Sequence, residues 1–189
     1  ALIGRIRGGL AQVNVLVSMF FAGMNGSVVA DTATVGALVL PAMKKAGYPA
    51  AFSAAVTGVS STIGGIIPPS IMMIVLANST EISIAALFAA GIIPGVLIGV
   101  VIMIINHFFA IKYNFERSDE PFSILRAGKE LYRSSFALLI PLVLVGSVMG
   151  GVASVVEAGA ITAMVALFTG VFVYRTIKWK DCTGAFRRA

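Results

Sequence analysis

Two clusters of residues are suited to bind a ligand, and the first is the run "GVSSTIGGIIPPS" at residues 58–70. Its two prolines each remove a backbone amide donor and its two glycines lower helix propensity, so the pattern predicts a helix break near residues 62–69. The carbonyl groups released by such a break, with the hydroxyl groups at residues 60–62, suit a small hard cation such as Na⁺, and the amino end of the following half-helix suits a carboxylate. The alternative is a proline-kinked helix whose serines bond back to their own backbone.

A second polar cluster is the segment "GMNGSVVADTATVG" at residues 23–36. Its glycines surround the small polar groups of Asn25 and Ser27, which permits close approach of a ligand and favours direct contact by these residues. Asp31 is the only charged residue between residues 8 and 43, and a lone carboxylate at membrane depth is a candidate functional group. Two interpretations of Asp31 stay open: it caps the helix that follows, as Ser27 also can, or it binds the ligand directly.

The rest of the sequence indicates that membrane helices position these clusters. Hydrophobic residues make up 58% of the chain and charged residues 12%, whereas a soluble domain carries roughly 25% charged residues. Four charge-free stretches each reach the roughly 17 to 25 residues that cross a bilayer. They are residues 8–30, 46–80, 82–111 and 134–156. The predicted fold class is therefore an all-α polytopic membrane protein.

The basic residues predict how these helices are oriented. Short loops rich in Lys and Arg stay in the cytoplasm, which places Arg5, Arg7, Lys44 and Lys45 on the same side of the membrane. Two full crossings between them would need about 40 residues plus a turn, so the shorter segment 8–46 is predicted to be a re-entrant helical hairpin. The other predicted elements are a broken transmembrane helix at 50–77, a transmembrane helix at 82–111, a cytoplasmic amphipathic loop at 112–133 and a helix pair at 134–174.

The composition predicts neither an enzyme nor a nucleic-acid-binding protein. The chain has one His and one Cys, and it shows no metal-ligand spacing and no nucleotide-binding loop. Its net charge of +6 comes from basic residues at the ends of apolar segments, which fits membrane topology better than a nucleic-acid surface. Glu81 and Glu157 have capping-box spacing and are expected at helix starts, while glycines at 91, 95 and 99 predict close helix packing.

The polar clusters also carry a family resemblance. The segments "RGGLAQVNVLVSMFFAGMNGSVVADTATVGALVLPAMKKAGY", "SSTIGGIIPPS" and "GGVASVVEAGAITAMVALF" resemble the large membrane subunit, DctM-like, of tripartite ATP-independent periplasmic (TRAP) transporters. The resemblance covers nearly the whole chain. It implies a Na⁺-coupled permease in the bacterial inner membrane that needs no other cofactor. Such a permease takes up organic acids, dicarboxylates or sialic acid among them, from a periplasmic binding protein and works with a small membrane subunit.

The resemblance further implies where ion and substrate bind. Members of this family are similar to elevator transporters, in which two inverted repeats each carry a re-entrant hairpin and a broken helix. The family's subunit is much longer, so we expect one repeat here, in a partial chain without the second hairpin. By resemblance, Na⁺ is expected at Asn25, Gly26, Ser27, Ser60, Ser61, Thr62, Gly64 and Gly65, and the substrate at Ser27, Ser61 and Thr62.

Two other functions remain compatible with the residues alone. The same glycines and hydroxyl groups would also line a channel-like pore. In a membrane assembly subunit that transports nothing, the breaks would be packing kinks. Saturable uptake that depends on a Na⁺ gradient separates a carrier from both alternatives, and the residues leave the choice among organic acids open.

Overall fold

The computed structural model describes residues 8–115 and 124–174, and every regular element in these ranges is a helix. The helices are α1 (Gly9–Asn25), α2 (Val28–Lys45), α3 (Ala50–Ser61), α4 (Ile71–Thr80), α5 (Ile84–Lys112), α6 (Ile124–Met149) and α7 (Val155–Phe168). A 3₁₀ turn at Thr62–Gly65 follows α3, and a π-helical turn at Thr169–Val173 follows α7. The all-α prediction is confirmed for these residues. Arg5, Arg7 and residues 116–123 of the predicted loop lie outside them.

The chain divides into two compact units, residues 1–130 and 131–189. In the first unit α1 is the central helix, since it packs against α2, α3, α5 and the 3₁₀ turn. Small and β-branched residues make up much of the buried core: Ala11, Val15, Ala22, Val35, Val39, Val56 and Ile63. Such side chains let helix backbones approach closely, which brings polar groups on neighbouring helices within hydrogen-bonding distance.

Helices α1 and α2 form a hairpin with a two-residue connection. Gly26 adopts the left-handed conformation (φ 59°) and donates its amide to the carbonyl of Ala22, which ends α1. Ser27 begins α2, because its hydroxyl accepts a hydrogen bond from the amide of Ala30 at 3.4 Å. The arms have 17 and 18 residues. They are therefore about 25 to 27 Å long, slightly less than a hydrocarbon core of about 30 Å, a length that suits the predicted re-entrant hairpin.

One face of α5 packs closely because it carries glycines one turn apart. A Cβ at Gly91 would lie 2.5 Å from the carbonyl oxygen of Ile66, and a Cβ at Gly99 would lie 2.5 Å from the sulfur of Met19 on α1. Gly95 is likewise buried against the segment that follows the 3₁₀ turn. The predicted close packing by these glycines is confirmed.

Two helices in the described residues are long and apolar enough to span a membrane, Ile84–Lys112 and Val155–Val173. The second begins with a capping box, in which Ser154 Oγ accepts from the amide of Glu157 and the Glu157 carboxylate accepts from the amide of Ser154 at 2.8 Å. The capping prediction for Glu157 is therefore confirmed. The same prediction for Glu81 is wrong: this residue ends α4 in a left-handed conformation (φ 58°), and Ser83 caps α5 instead.

Helix α6 begins at Ile124, inside the segment predicted as a loop (112–133) and ahead of the predicted helix pair (134–174). The residues from 124 to 133 include Leu, Arg, Ala, Lys and Glu, all of which have high helix propensity. The chain therefore continues as a helix through the second half of that predicted loop.

Candidate functional site

The hairpin tip lies directly against the break between α3 and α4. The amide of Ile71 donates a hydrogen bond to the carbonyl of Gly26 at 3.2 Å. Position 26 has no room for a side chain, because a Cβ there would overlap the carbonyl oxygen of Pro69. The two polar clusters, separated along the sequence, are therefore in backbone contact.

A second contact joins the 3₁₀ turn to the start of α2. A Cβ at Gly64 would lie 3.6 Å from backbone atoms of Ser27, and a Cβ at Gly65 would lie 3.3 Å from the side chain of Val28. Side chains larger than a methyl group at these two positions would push the break away from the tip. A methyl group would fit in ordinary contact at Gly64 and would be slightly tight at Gly65, so small residues are favoured where the two segments approach.

The break itself is held by a buried serine. Helix α3 ends at Ser61 and α4 begins only at Ile71. Between them, Ser70 Oγ donates to the carbonyl of Gly65 at 2.8 Å and accepts from the amide of Met73 at 3.4 Å. Ser70 thus joins the two sides of the break and caps α4, whose amino end carries partial positive charge. Ser70 is outside the predicted site residues, although a serine directly before an apolar helix is a capping signal.

Polar side chains also pair across α1 and α3. Asn14 Nδ2 donates to Thr57 Oγ1 at 2.7 Å, and the hydroxyl oxygens of Ser18 and Ser60 are 3.0 Å apart. The order of the two pairs shows that α1 and α3 run parallel, and all four residues are at most 2% exposed. Asn14 and Ser18 are outside the predicted site residues. Their signal in the sequence is a pair of polar residues one turn apart in an apolar helix.

Asp31 is enclosed between α1, α2 and α3. It is 0% exposed, and neither carboxylate oxygen has a hydrogen-bond partner among the described residues. The hydroxyl groups of Ser61 and Ser18 are near enough to interact with the carboxylate, but they lie outside hydrogen-bonding geometry. Because Ser27 caps α2, the capping interpretation of Asp31 is wrong.

The structure brings most of the predicted site residues together and separates one of them. Asn25 Oδ1 accepts from the amide of Ser27 at 3.0 Å, so Asn25 shapes the tip. Thr62 is exposed, and its hydroxyl donates to the carbonyl of Val59 at 2.7 Å on the outer side of the break. The remaining predicted residues are buried or half-buried near the contact: Gly26, Ser27, Ser60, Ser61, Gly64 and Gly65. Their roles in binding stay predictions.

The donor atoms of this region limit which ions it can bind. In residues 8–115 and 124–174, no three His, Cys, Asp or Glu side chains come together in a group that could hold a metal ion. The tip and the break instead offer hydroxyl, amide and carbonyl oxygens with one carboxylate nearby. Oxygen donors of low total charge suit a hard cation and not a transition metal.

Known proteins resemble this chain along its whole length. The sequence matches the family described as "Tripartite ATP-independent periplasmic transporter, DctM component" over residues 1–189. It is 37% identical over 183 residues to the C4-dicarboxylate TRAP transporter large permease protein DctM of Pseudomonas aeruginosa, covering 96% of this chain and 42% of that protein. It is 37% identical over 185 residues to the sialic acid TRAP transporter permease protein SiaT of Haemophilus influenzae, covering 95% and 29%.

A further relative is the 2,3-diketo-L-gulonate TRAP transporter large permease protein YiaN of Escherichia coli. It is 37% identical over 174 residues, which cover 92% of this chain and 41% of that protein. The chain therefore spans less than half the length of each of these relatives.

Proposed function

The chain belongs to the DctM family of TRAP transporter large permease proteins, and from this premise we propose that it is part of a secondary transporter that imports organic acids together with Na⁺. In this proposal the chain supplies one repeat of an elevator-type carrier, whose hairpin and broken helix move together with the bound ion and substrate. Binding and movement, without covalent chemistry, make up its activity.

The observation that carries the proposal is the contact between the hairpin tip and the helix break. A break leaves backbone carbonyl and amide groups without partners, and such groups are tolerated at membrane depth only inside protein or beside a water-filled cavity. In this protein the break faces a second polar turn, to which Ile71 is joined by a hydrogen bond to Gly26 of 3.2 Å. Discontinuous helices arranged in this way bind ions and anionic substrates in other transporters.

We propose Na⁺ as the coupling ion, bound by backbone and hydroxyl oxygens of residues 25–27 and 60–65. A cation there would offset the negative partial charge of these oxygens and strengthen the binding of a neighbouring carboxylate. Release of the ion would weaken the binding of the acid by the same factor, since coupling between two binding sites is reciprocal.

The proposed substrate class follows from the charge of α4 and from the relatives. The amino end of α4 at Ser70 favours a negatively charged group, and the hairpin tip lies against it, since Ile71 donates its amide to the carbonyl of Gly26 at 3.2 Å. The relatives are described as permeases for C4-dicarboxylates, sialic acid and 2,3-diketo-L-gulonate, all of which carry a carboxylate. Thr62 is the weakest of the predicted substrate contacts, because its hydroxyl is bonded to its own helix.

The proposed transporter requires further chains. A periplasmic binding protein would deliver the substrate, and a small membrane subunit would complete the complex in the bacterial inner membrane. The family description, a tripartite periplasmic transporter, supports an assembly of three components. In this orientation Lys44 and Lys45 at the end of α2 face the cytoplasm.

Uptake by the full-length subunit and its partners in liposomes tests this function. Organic acids are screened with an inward Na⁺ gradient and with K⁺ in place of Na⁺. A carrier gives saturable uptake that needs the Na⁺ gradient. Flux that does not saturate would indicate a channel-like pore, and absence of any flux across the acids screened would favour an assembly subunit.

A pair of serine variants tests the site within the same assay. Ser61→Ala removes a buried hydroxyl beside the break and should raise the Na⁺ concentration for half-maximal uptake about tenfold, the effect of losing one interaction of about 1.4 kcal/mol. Ser79→Ala is the control, since Ser79 is exposed and bonded to its own helix at 2.9 Å. Equal Na⁺ dependence in both variants would favour the packing-kink interpretation.

A further inference from the structure

A cavity opens in the first unit where helices α2 and α5 end. It has a volume of about 510 Å³ and lies between the loop that joins α2 to α3 and the residues that follow α5. Lys45 and Pro49 line one side of it, and Tyr113 and Phe115 line the other. This volume falls within the range of small-molecule sites, roughly 300 to 1,000 Å³.

The surroundings of the cavity carry positive charge that no described carboxylate neutralises. Lys44 and Lys45 end α2, and Lys112 ends α5. None of the three forms an ion pair with a described Asp or Glu. Residues 8–115 contain only the carboxylates of Asp31 and Glu81. Asp31 lies about 21 Å from Lys45 along α2, and Glu81 precedes α5, a helix about 43 Å long. Both separations far exceed a Debye length of about 8 Å.

The helix ends at the cavity offset only part of this charge. Each helix carboxyl end carries about half a negative charge, so the ends of α2 and α5 together offset about one of the three lysines. The amino end of α3 contributes about half a positive charge at the same place, because Pro49 starts this helix without a side-chain cap. The cavity therefore retains about two to three positive charges.

Free backbone donors at the start of α3 add to the lysines. The first amide of this segment with an acceptor is that of Ser53, which donates to the carbonyl of Pro49 at 3.0 Å. The amides of residues 50–52 have no acceptor among the described residues, and residues 50 and 51 are exposed. Unpaired amides at a helix start bind the oxygens of phosphate groups well.

Aromatic and apolar side chains favour a lipid over a soluble anion. Tyr113 stacks on Phe109 with 5.9 Å between the ring centroids, and Phe115 packs against Tyr48 at 4.6 Å. Tyrosines at helix ends are typical of the membrane surface. One turn before the cavity, α5 exposes the large apolar side chain of Phe108, which is 66% exposed. An acyl chain can cover this surface while its headgroup occupies the cavity.

We propose that this cavity binds the headgroup of an anionic phospholipid from the cytoplasmic leaflet, with Lys45 contacting the phosphate. Basic pockets between membrane helices on the cytoplasmic side bind such headgroups in other proteins. The lipid bridges the loop after α2 and the end of α5, so its binding stabilises the base of the hairpin. The site lies at the opposite end of the hairpin from the tip, and the proposal does not depend on Na⁺ coupling.

Thermal unfolding of the purified full-length subunit in uncharged detergent, with phosphatidylglycerol or phosphatidylcholine of the same acyl chains titrated in, tests the proposal. The wild-type unfolding temperature should rise saturably with phosphatidylglycerol and not with phosphatidylcholine. Lys45→Gln should raise the half-saturating phosphatidylglycerol concentration at least about tenfold, the effect of losing one charge-assisted hydrogen bond. Lys45→Arg keeps the charge and should keep the response.

Lys44→Gln is the matched control for charge. It changes the net charge by the same amount one position away, at a residue that does not line the cavity. Its effect should not exceed about fivefold, the contribution of a single lysine near an anionic surface. Equal losses in Lys44→Gln and Lys45→Gln would overturn the proposal, because they would indicate diffuse attraction to the membrane surface and no specific site.

Three other results would also overturn the proposal. Inorganic phosphate that stabilises the wild type as well as phosphatidylglycerol does would assign the cavity to a soluble anion. Absence of any wild-type response to phosphatidylglycerol would show that the cavity binds no such lipid. A response that appears only in the triple variant Glu116→Gln, Asp119→Asn, Glu120→Gln would assign the cavity to that acidic segment of the chain. All of these outcomes leave Na⁺-coupled uptake standing, since uptake is measured separately.

Discussion

Replacing Gly26 by alanine should separate the hairpin tip from the helix break. Gly26 has φ 59°, a conformation that costs an L-residue with a side chain about 1 to 2 kcal/mol. The added Cβ would also overlap the carbonyl oxygen of Pro69, which belongs to backbone and cannot rotate away. The tip must therefore move, and the hydrogen bond from Ile71 to Gly26 is lost.

Gly47→Ala provides a matched control at the opposite end of the hairpin. Gly47 also has a left-handed conformation (φ 78°), but no atom lies within 4 Å of the position of its Cβ. Both variants carry the backbone strain, and only Gly26→Ala carries the clash and the lost hydrogen bond. These two effects together amount to about 2 kcal/mol or more, which is about a thirtyfold change in the equilibrium between the packed and the displaced tip.

Hydrogen exchange of the Ile71 amide and uptake in liposomes measure this difference. In Gly26→Ala the amide should exchange about thirty times faster than in wild type, and Na⁺-dependent uptake should fall in parallel. In Gly47→Ala the exchange of Ile71 should be unchanged, and only the overall stability should fall slightly. Equal exchange and equal uptake in the two variants would refute the argument that the tip and the break form one site.

Three further predictions concern the packing around the site, each measured by thermal or chemical unfolding of the full-length subunit. Gly91→Ala should destabilise the protein by about 1 to 3 kcal/mol, because its Cβ would lie 2.5 Å from a backbone oxygen of the break. Gly58→Ala is the control: its Cβ would meet open space, so it should stabilise the protein by about 0.5 to 1 kcal/mol. A change of the same sign in both variants would contradict the close packing of α5 against the break. Asn14→Ala and Thr57→Val should each destabilise the fold, and a double-mutant cycle should give a coupling energy of about 0.5 to 1.5 kcal/mol. Strict additivity of the two effects would mean that the 2.7 Å hydrogen bond between these side chains contributes nothing to stability. Ser70→Ala should cost about 1 to 2 kcal/mol, since it removes both the cap of α4 and the bond across the break, and a change below a few tenths would argue against that role.

The local features of the site are the part that the sequence predicts well. The break between α3 and α4 follows from two prolines and two glycines, whose effects on helices depend only on their own covalent structure. The capping box at Ser154 and Glu157 likewise involves residues three apart in sequence, so its geometry is set locally. The tip is predictable for the same reason, because Gly26 ends α1 and Ser27 caps α2 through hydrogen bonds to residues three or four positions away in the sequence.

Contacts between helices cannot be predicted from the sequence in this way, because they depend on how whole helices pack. Pairing of Asn14 with Thr57 requires the relative register of α1 and α3, which depends on how small core residues pack along the whole interface. Thr62 directly follows Ser61 in sequence, yet the two side chains lie on different sides of the chain, because successive residues of a helix point about 100° apart. The sequence leaves two roles open for Asp31, a cap of α2 or direct contact with the ligand. Its burial one turn past the true cap, Ser27, depends on how α1 and α3 pack around α2, which no local pattern specifies.

Hydrogen exchange of the full-length wild-type subunit, in Na⁺ and in K⁺ at equal ionic strength, tests the central claim most directly. An ion bound where the hairpin meets the broken helix should slow exchange selectively at residues 25–31 and 61–71 as Na⁺ is raised. K⁺ should have no such effect, and exchange in α7 should stay the same in both salts. Equal exchange in Na⁺ and K⁺ across these two segments would contradict the account.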